Sequence, residues 1–176
     1  MARDPRAIRR ANDLIGVTKV CTESAGRIRL VTTAGEPPIT YTMEYRCRSW
    51  GMSASGERVI RETHRIRIDL PDDYPDPYNG APVVFMLDPV WNIHVFSSNK
   101  VCLGDWYPCP LADLVVNIGK LLVLDPVVLN FNSVANSEAG EWAEEHLAEL
   151  PLEHIDWRPS TKPRPRVVWG VTDEPE

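Results

Sequence analysis

No two of the four cysteines stand in a C-x-x-C pair, and none has the paired spacing of a zinc site. Cys21, Cys47, Cys102 and Cys109 therefore call for four separate explanations. The chain also lacks an apolar run of the roughly 20 residues that a membrane span requires, because Asp, Asn, Lys or Pro interrupts each candidate. Its opening, MARDPRAIRR, has no apolar segment for export. A concentrated basic footprint is missing as well. The 19 Lys and Arg residues are dispersed among 25 Asp and Glu residues, for a net charge of −6, which argues against nucleic acid as a partner. No internal repeat is evident. These absences point to a cytoplasmic chain with reduced thiols, no membrane partner and no evident cofactor or metal.

What is present suffices for one core. In 176 residues, 43% are hydrophobic and six are Trp, enough for a single domain with a tail. Asp4-Pro5 reads as an N-cap followed by Pro at the first helical position, and Ile8, Ala11 and Ile15 recur at helical spacing, so a first helix is expected from Asp4 to Ile15 with Gly16 as its stop. Arg6, Arg9 and Arg10 lie on its other face. Period-2 alternation follows in Arg27 to Val31, in Tyr41 to Cys47 and in Arg65 to Leu70, and Val83 to Leu87 is a more buried run. Ser49 to Gly56 reads as a hairpin loop. Four strands without intervening helices make an antiparallel meander, hence an α+β fold.

Between Leu87 and Pro110 the periodicity stops, in a long irregular segment that holds two cysteines. Loops of that length inside a compact domain are often functional. Leu111, Leu114, Val115, Ile118, Leu121 and Leu122 restore helical spacing from Pro110 to Asp125-Pro126. Ser133 or Asn136 can cap a last helix running through Trp142, His146 and Leu150. The expected division is one folded domain over 1–150 and a Pro-rich tail over 151–176, parts of which Trp157, Val167, Val168 and Trp169 could anchor.

That order, with five short motifs, resembles the ubiquitin-conjugating enzyme family from about Asp4 to Leu150. Leu70-Pro71-Asp72-Asp73-Tyr74-Pro75 looks like the family's P-x-D-Y-P turn, and Ala81-Pro82-Val83-Val84-Phe85 like its P-P-x-V-x-F strand, with three extra residues between them. Val101-Cys102-Leu103 stands in the place of I-C-L, the active-site cysteine. Trp106-Tyr107-Pro108 matches W-x-P, and Leu121-Leu122-Val123-Leu124-Asp125-Pro126 matches L-L-x-x-D-P. The family's His-Pro-Asn places Asn eight residues before the cysteine; here Asn92-Ile93-His94 puts His94 there, and Asn99 stands where Gly is usual. The replacement is similar to a divergent bacterial branch whose carriers work with a dedicated activating enzyme, frequently in antiviral defence operons.

The resemblance implies that Cys102 accepts a ubiquitin-like protein as a thioester from an activating enzyme and passes it to a lysine amine, or another nucleophile, on a protein target. Thiol-to-thiol exchange is nearly balanced, so the absence of a Cys/His/Asp triad is consistent with it. His94 could donate an N–H to the developing oxyanion or brace its loop through a backbone group. Asp105, with Asp113 and Asp125 as outside candidates, could take the amine's proton, although capping or loop bonding is the favoured reading for each of these acids. Cys109, between two prolines at a helix start, reads as packing or as a regulator of Cys102. Cys21 and Cys47 read as core residues. His94, Cys102 and Cys109 would lack a fourth ligand as a metal site. Arg6, Arg9 and Arg10 match the family's docking helix for the activating enzyme by location and charge. The alternative is a non-catalytic member of the same fold that binds or scaffolds a ubiquitin-like protein; such relatives typically lack the cysteine.

Overall fold

A computed structural model describes residues 4–159, apart from the side chain of Asp105. The elements are α1 (Pro5–Glu23), β1 (Ile28–Ala34), β2 (Thr40–Met52), β3 (Arg58–Asp69), β4 (Val83–Met86), a 3₁₀ turn over Gly104–Trp106, α2 (Leu111–Leu122), α3 (Ser137–Glu145) and a short 3₁₀ turn over Leu147–Glu149. The four strands form one antiparallel sheet in the order β1-β2-β3-β4, the meander expected from the alternating runs. In β2, Tyr41, Met43, Tyr45 and Cys47 point inward and meet Ile66 and Ile68 of β3, while Arg46, Arg48, Arg65 and Arg67 face solvent.

α1 is longer than expected and buries a different face. Asp4 caps it by accepting the Arg6 N–H, but Gly16 does not end it; the helix stops at Ser24, followed by Ala25 and Gly26 at positive φ. At Gly16 an added Cβ would lie 3.3 Å from that of Ala112 on α2, so the two helices approach closely at this point. The stripe Ile8, Ala11, Ile15 is exposed, with Ile15 at 68%, and the buried stripe is Asp13, Val17 and Val20 with Leu14 and Cys21 beside it. Asp13 is tolerated there because it accepts from Tyr74 Oη at 2.6 Å and from Arg9 at 3.1 Å, which locks α1 to the segment after β3.

α2 is the central element. Leu111, Leu114, Val115, Ile118, Leu121 and Leu122 are all buried, each contributing about 1.5–3 kcal/mol of burial free energy. Its last carbonyls, which have no partner within the helix, are taken by side chains from the sheet side: Ser49 Oγ donates to Leu122 O and Asn92 Nδ2 donates to Leu121 O at 2.8 Å. Asn92 thereby fastens the irregular segment after β4 to the helix that backs the candidate site.

Residues 151–159 lie against this same body. Leu152 N–H donates to Val123 O, Glu153 accepts from Arg48 N–H and pairs with Arg27 at 2.9 Å, and Trp157, 3% exposed, sits on the bare backbone of Gly119. The rest of the Pro-rich tail, with Val167, Val168 and Trp169, lies outside the described residues.

Candidate active site

Cys102 follows a small hairpin built onto β4. Met86 N–H donates to Asn99 O, Val101 N–H to Val84 O, Phe96 N–H to Lys100 O, and Val95 pairs with Val101. Asn99 makes the reversal at φ 62°, the left-handed conformation that Asn tolerates better than most residues. Cys102 N–H then donates to His94 O at 2.7 Å, so the cysteine's backbone is held from both sides while its side chain stays half-buried.

The thiol opens into a cleft of about 110 Å³ lined by His94, Leu103, Gly104, Trp106, Val128, Asn130 and Ser133, among others. Gly104, at φ 49°, turns the chain sharply beside the sulfur. Cys102 Sγ lies 3.8 Å from Ser133 Oγ. Ser133 is therefore not the cap of α3; Asn136 fills that role by accepting from Ala139 N–H.

His94 is 3% exposed. Its amide donates to Asn92 Oδ1, its Nε2 accepts from Asn130 N–H at 3.0 Å, and Trp106 meets the ring edge-on at 6.0 Å. An accepting Nε2 places the proton on Nδ1. Burial lowers the ring's pKa, and a backbone hydrogen bond at Ser133 only partly opposes that, so the neutral form is held.

The other candidates are spread out. Asp105 belongs to the 3₁₀ turn just after the cysteine, and its side chain is outside the described part. Asp125 accepts from Val127 N–H and shapes the turn after α2, and Asp113 pairs with Arg158 at 2.8 Å. Cys109 lies in a separate depression with Arg9, Pro75 and Tyr107; burial first, then Asp113, pushes its thiol up, the reverse of what a helix start would do alone. Arg6 and Arg10 fasten α1 to the turn after β3, Arg6 donating to Asp72 O and Arg10 to Pro71 O, whereas Arg9 pairs with Asp13 within α1 and lies 5.8 Å over the Tyr74 ring. Cys47 is buried and Cys21 half-buried against the core. No cluster of three or more potential metal ligands occurs among the described residues.

Among solved structures, one from Trypanosoma cruzi, provisionally described as a ubiquitin conjugating enzyme, superposes with a TM-score of 0.50 over 84% of this chain and 94% of that one, at 17% identity. The fold is that of the ubiquitin-conjugating enzymes. No family model matches the sequence and no curated protein matches it. Within this fold the meander and its backing helix frame the cleft in which Cys102 lies beside His94, Asn130 and Ser133. Asn130 and Ser133 carry no signal in the sequence, since they lie 36 and 31 residues from their partners His94 and Cys102. No described helix is long and apolar enough to cross a membrane.

Proposed function

We propose that this protein is a carrier that holds a ubiquitin-like protein on Cys102 as a thioester and passes it to an amine on a target protein. The observation that carries the reading is the half-exposed Cys102 sulfur at the mouth of a cleft, on a hairpin bonded to β4 and to His94, in a ubiquitin-conjugating fold. Such a group is fixed in direction and still reachable by two large partners.

In the first step the Cys102 thiolate attacks the thioester carbonyl on the activating enzyme, the new C–S bond forms, and the enzyme's thiolate leaves. In the second a lysine amine attacks the Cys102 thioester, loses a proton to a base, and expels the Cys102 thiolate as the amide forms. Asp105 is the candidate for that base by its place in the chain. Ser133 Oγ is placed to donate to the sulfur as negative charge returns to it. His94 acts as a positioning residue: it holds the 127–133 wall of the cleft through Asn130. The first helix, with Arg6, Arg9 and Arg10 near its start and Arg6 exposed, is the proposed contact for the activating enzyme. His94 in place of the family's Asn supports a divergent, bacterial-type carrier with a dedicated activating enzyme, working in a defence setting.

The test is a thioester assay with an activating enzyme, ATP and its ubiquitin-like protein, read on a non-reducing gel. An adduct that thiol removes, that is absent in Cys102→Ala and that becomes thiol-resistant in Cys102→Ser is the expected result. An adduct that persists in Cys102→Ala would overturn Cys102 as the carrier residue, and none at all would leave a binding or scaffolding member of the fold.

A further inference from the structure

We propose that the groove beside the Cys102 hairpin is the docking site for the target: it takes a basic segment with an apolar anchor, presenting a lysine to the thioester. This rests on the carrier reading of Cys102. The groove holds about 670 Å³ and is lined by Met52, Trp91, Phe96, Asn99 and Glu138, among others. Phe96 is 41% exposed, a large ring presented to solvent at the groove's edge.

Charge specifies the occupant. From Ser133 to Leu152 there is no Lys or Arg, whereas Glu138, Glu141, Glu144, Glu145 and Glu149 all fall there. Each of the five is exposed, and none forms a salt bridge among the described residues. On the sheet's outer face, by contrast, Glu44, Asp69 and Asp88 are each paired with an arginine. Among the described residues Arg58, 4.6 Å above Trp91, and the exposed Lys100 of the hairpin are cations at the groove, against five carboxylates on the adjoining helix and turn. A phosphate-bearing or acidic partner would be repelled, and a lysine-rich one is drawn in.

Continuity with the thiol supports the same assignment. Val95, Phe96 and Asn99 of the groove belong to the hairpin that ends in Cys102, and Val95 pairs with Val101. Paired Cα atoms stand about 5 Å apart and the next residue about 3.8 Å further on, so Cys102 lies within about 10 Å of the groove lining. Ala135 and Asn136 donate their N–H groups to Ile93 O, which fixes α3 and its acids to the same frame. An extended segment in the groove therefore runs beside the hairpin that leads to Cys102, whose thiol opens into the neighbouring cleft.

The experiment uses the unloaded full chain and a short fluorescein-labelled peptide of alternating lysine and leucine around one phenylalanine, followed by anisotropy. Binding that weakens at least about fivefold in Phe96→Ser and in the double variant Glu138→Lys/Glu141→Lys, and also weakens with salt, is expected. Glu36→Lys, exposed in the β1–β2 turn at the far end of the sheet, serves as the charge control and binds as the unaltered chain does. The proposal is overturned if the peptide with Glu for Lys binds equally well, if the groove variants bind unchanged, or if Glu36→Lys weakens binding as much as they do. Thermal melts confirm that these surface variants stay folded. Because binding is read without thioester, a failure to load Cys102 is a separate result. Once loading is established, the groove variants should slow discharge to the peptide's lysine and leave discharge to free lysine unchanged.

Discussion

The backbone N–H of Asn130 donates to Nε2 of His94 at 3.0 Å, joining two segments 36 residues apart across the wall of the Cys102 cleft. The bond uses the one ring nitrogen that is free to accept only while the imidazole is neutral. It makes His94 a support for the cleft, and the consequences can be separated from direct participation in the reaction.

His94→Ala removes the acceptor and leaves the Asn130 N–H without a protein partner in a half-buried place. A loss of about 1–3 kcal/mol in unfolding free energy is expected, measured by denaturant titration. Loading of Cys102 should fall together with discharge, because the cleft itself loosens. His94→Gln, whose amide oxygen can accept the same N–H, should recover part of both. Full stability in His94→Ala with slowed discharge alone would instead place the ring at the reacting carbonyl.

Stability should also depend on pH through two buried imidazoles. His94 and His64 both have pKa values lowered, in each case chiefly by burial. The unfolded chain then takes up protons at a higher pH than the native one. Their contribution is complete above the ordinary histidine value of about 6.5 and is lost as pH falls from there through the depressed native values. Each histidine can supply a slope of up to about 1.4 kcal/mol per pH unit in that window. Urea titrations from neutral pH downward should show the decline, and His94→Gln should reduce it. A flat profile would contradict the burial of both rings.

Much of this arrangement was legible in the sequence where one side of an element is wet. β2 and β3 alternate because Arg46, Arg65 and Arg67 meet water while Tyr45, Ile66 and Ile68 meet the core. α1 misled because it carries two apolar stripes, and which one is buried depends on α2, which pattern alone does not reveal. Gly16 looked like a stop because its close approach to Ala112 is a tertiary fact. Cys102 could be found from its order among short motifs. Ser133 and Asn130 could not, since the contacts that give them meaning span 31 and 36 residues of chain.

Ser133→Ala should leave the fold intact, because the hydroxyl sits on a half-buried loop position and its one described side-chain contact is the sulfur at 3.8 Å. Loading from an activating enzyme is expected to change less than discharge to lysine, since only discharge returns charge to Cys102. Up to about a tenfold slowing of single-turnover discharge is expected, well below the effect of a full oxyanion donor. Equal rates in Ser133→Ala and the unaltered chain would remove the hydroxyl from the proposed step.

The last prediction concerns where the domain ends. Trp157 rests on Gly119, where an added Cβ would come within 2.9 Å of the indole, and its ring meets Tyr45 edge-on at 6.2 Å. Tyr45 in turn donates its hydroxyl to Val115 O, so the indole closes one side of the α2–β2 core. Against a reference chain ended after Pro159, one ended after Leu150 should melt lower, because it loses the indole together with the Leu152–Val123 and Glu153–Arg27 contacts. Trp157→Ala isolates the packing share, about 3–5 kcal/mol for a buried Trp. Gly119→Leu should act similarly by displacing the ring from the other side, and the two substitutions combined should cost less than their sum because they break one contact. If truncation at Leu150 left the melting temperature unchanged, residues 151–159 would be an appendage and the boundary expected from composition would stand; a loss matching Trp157→Ala makes them part of the domain.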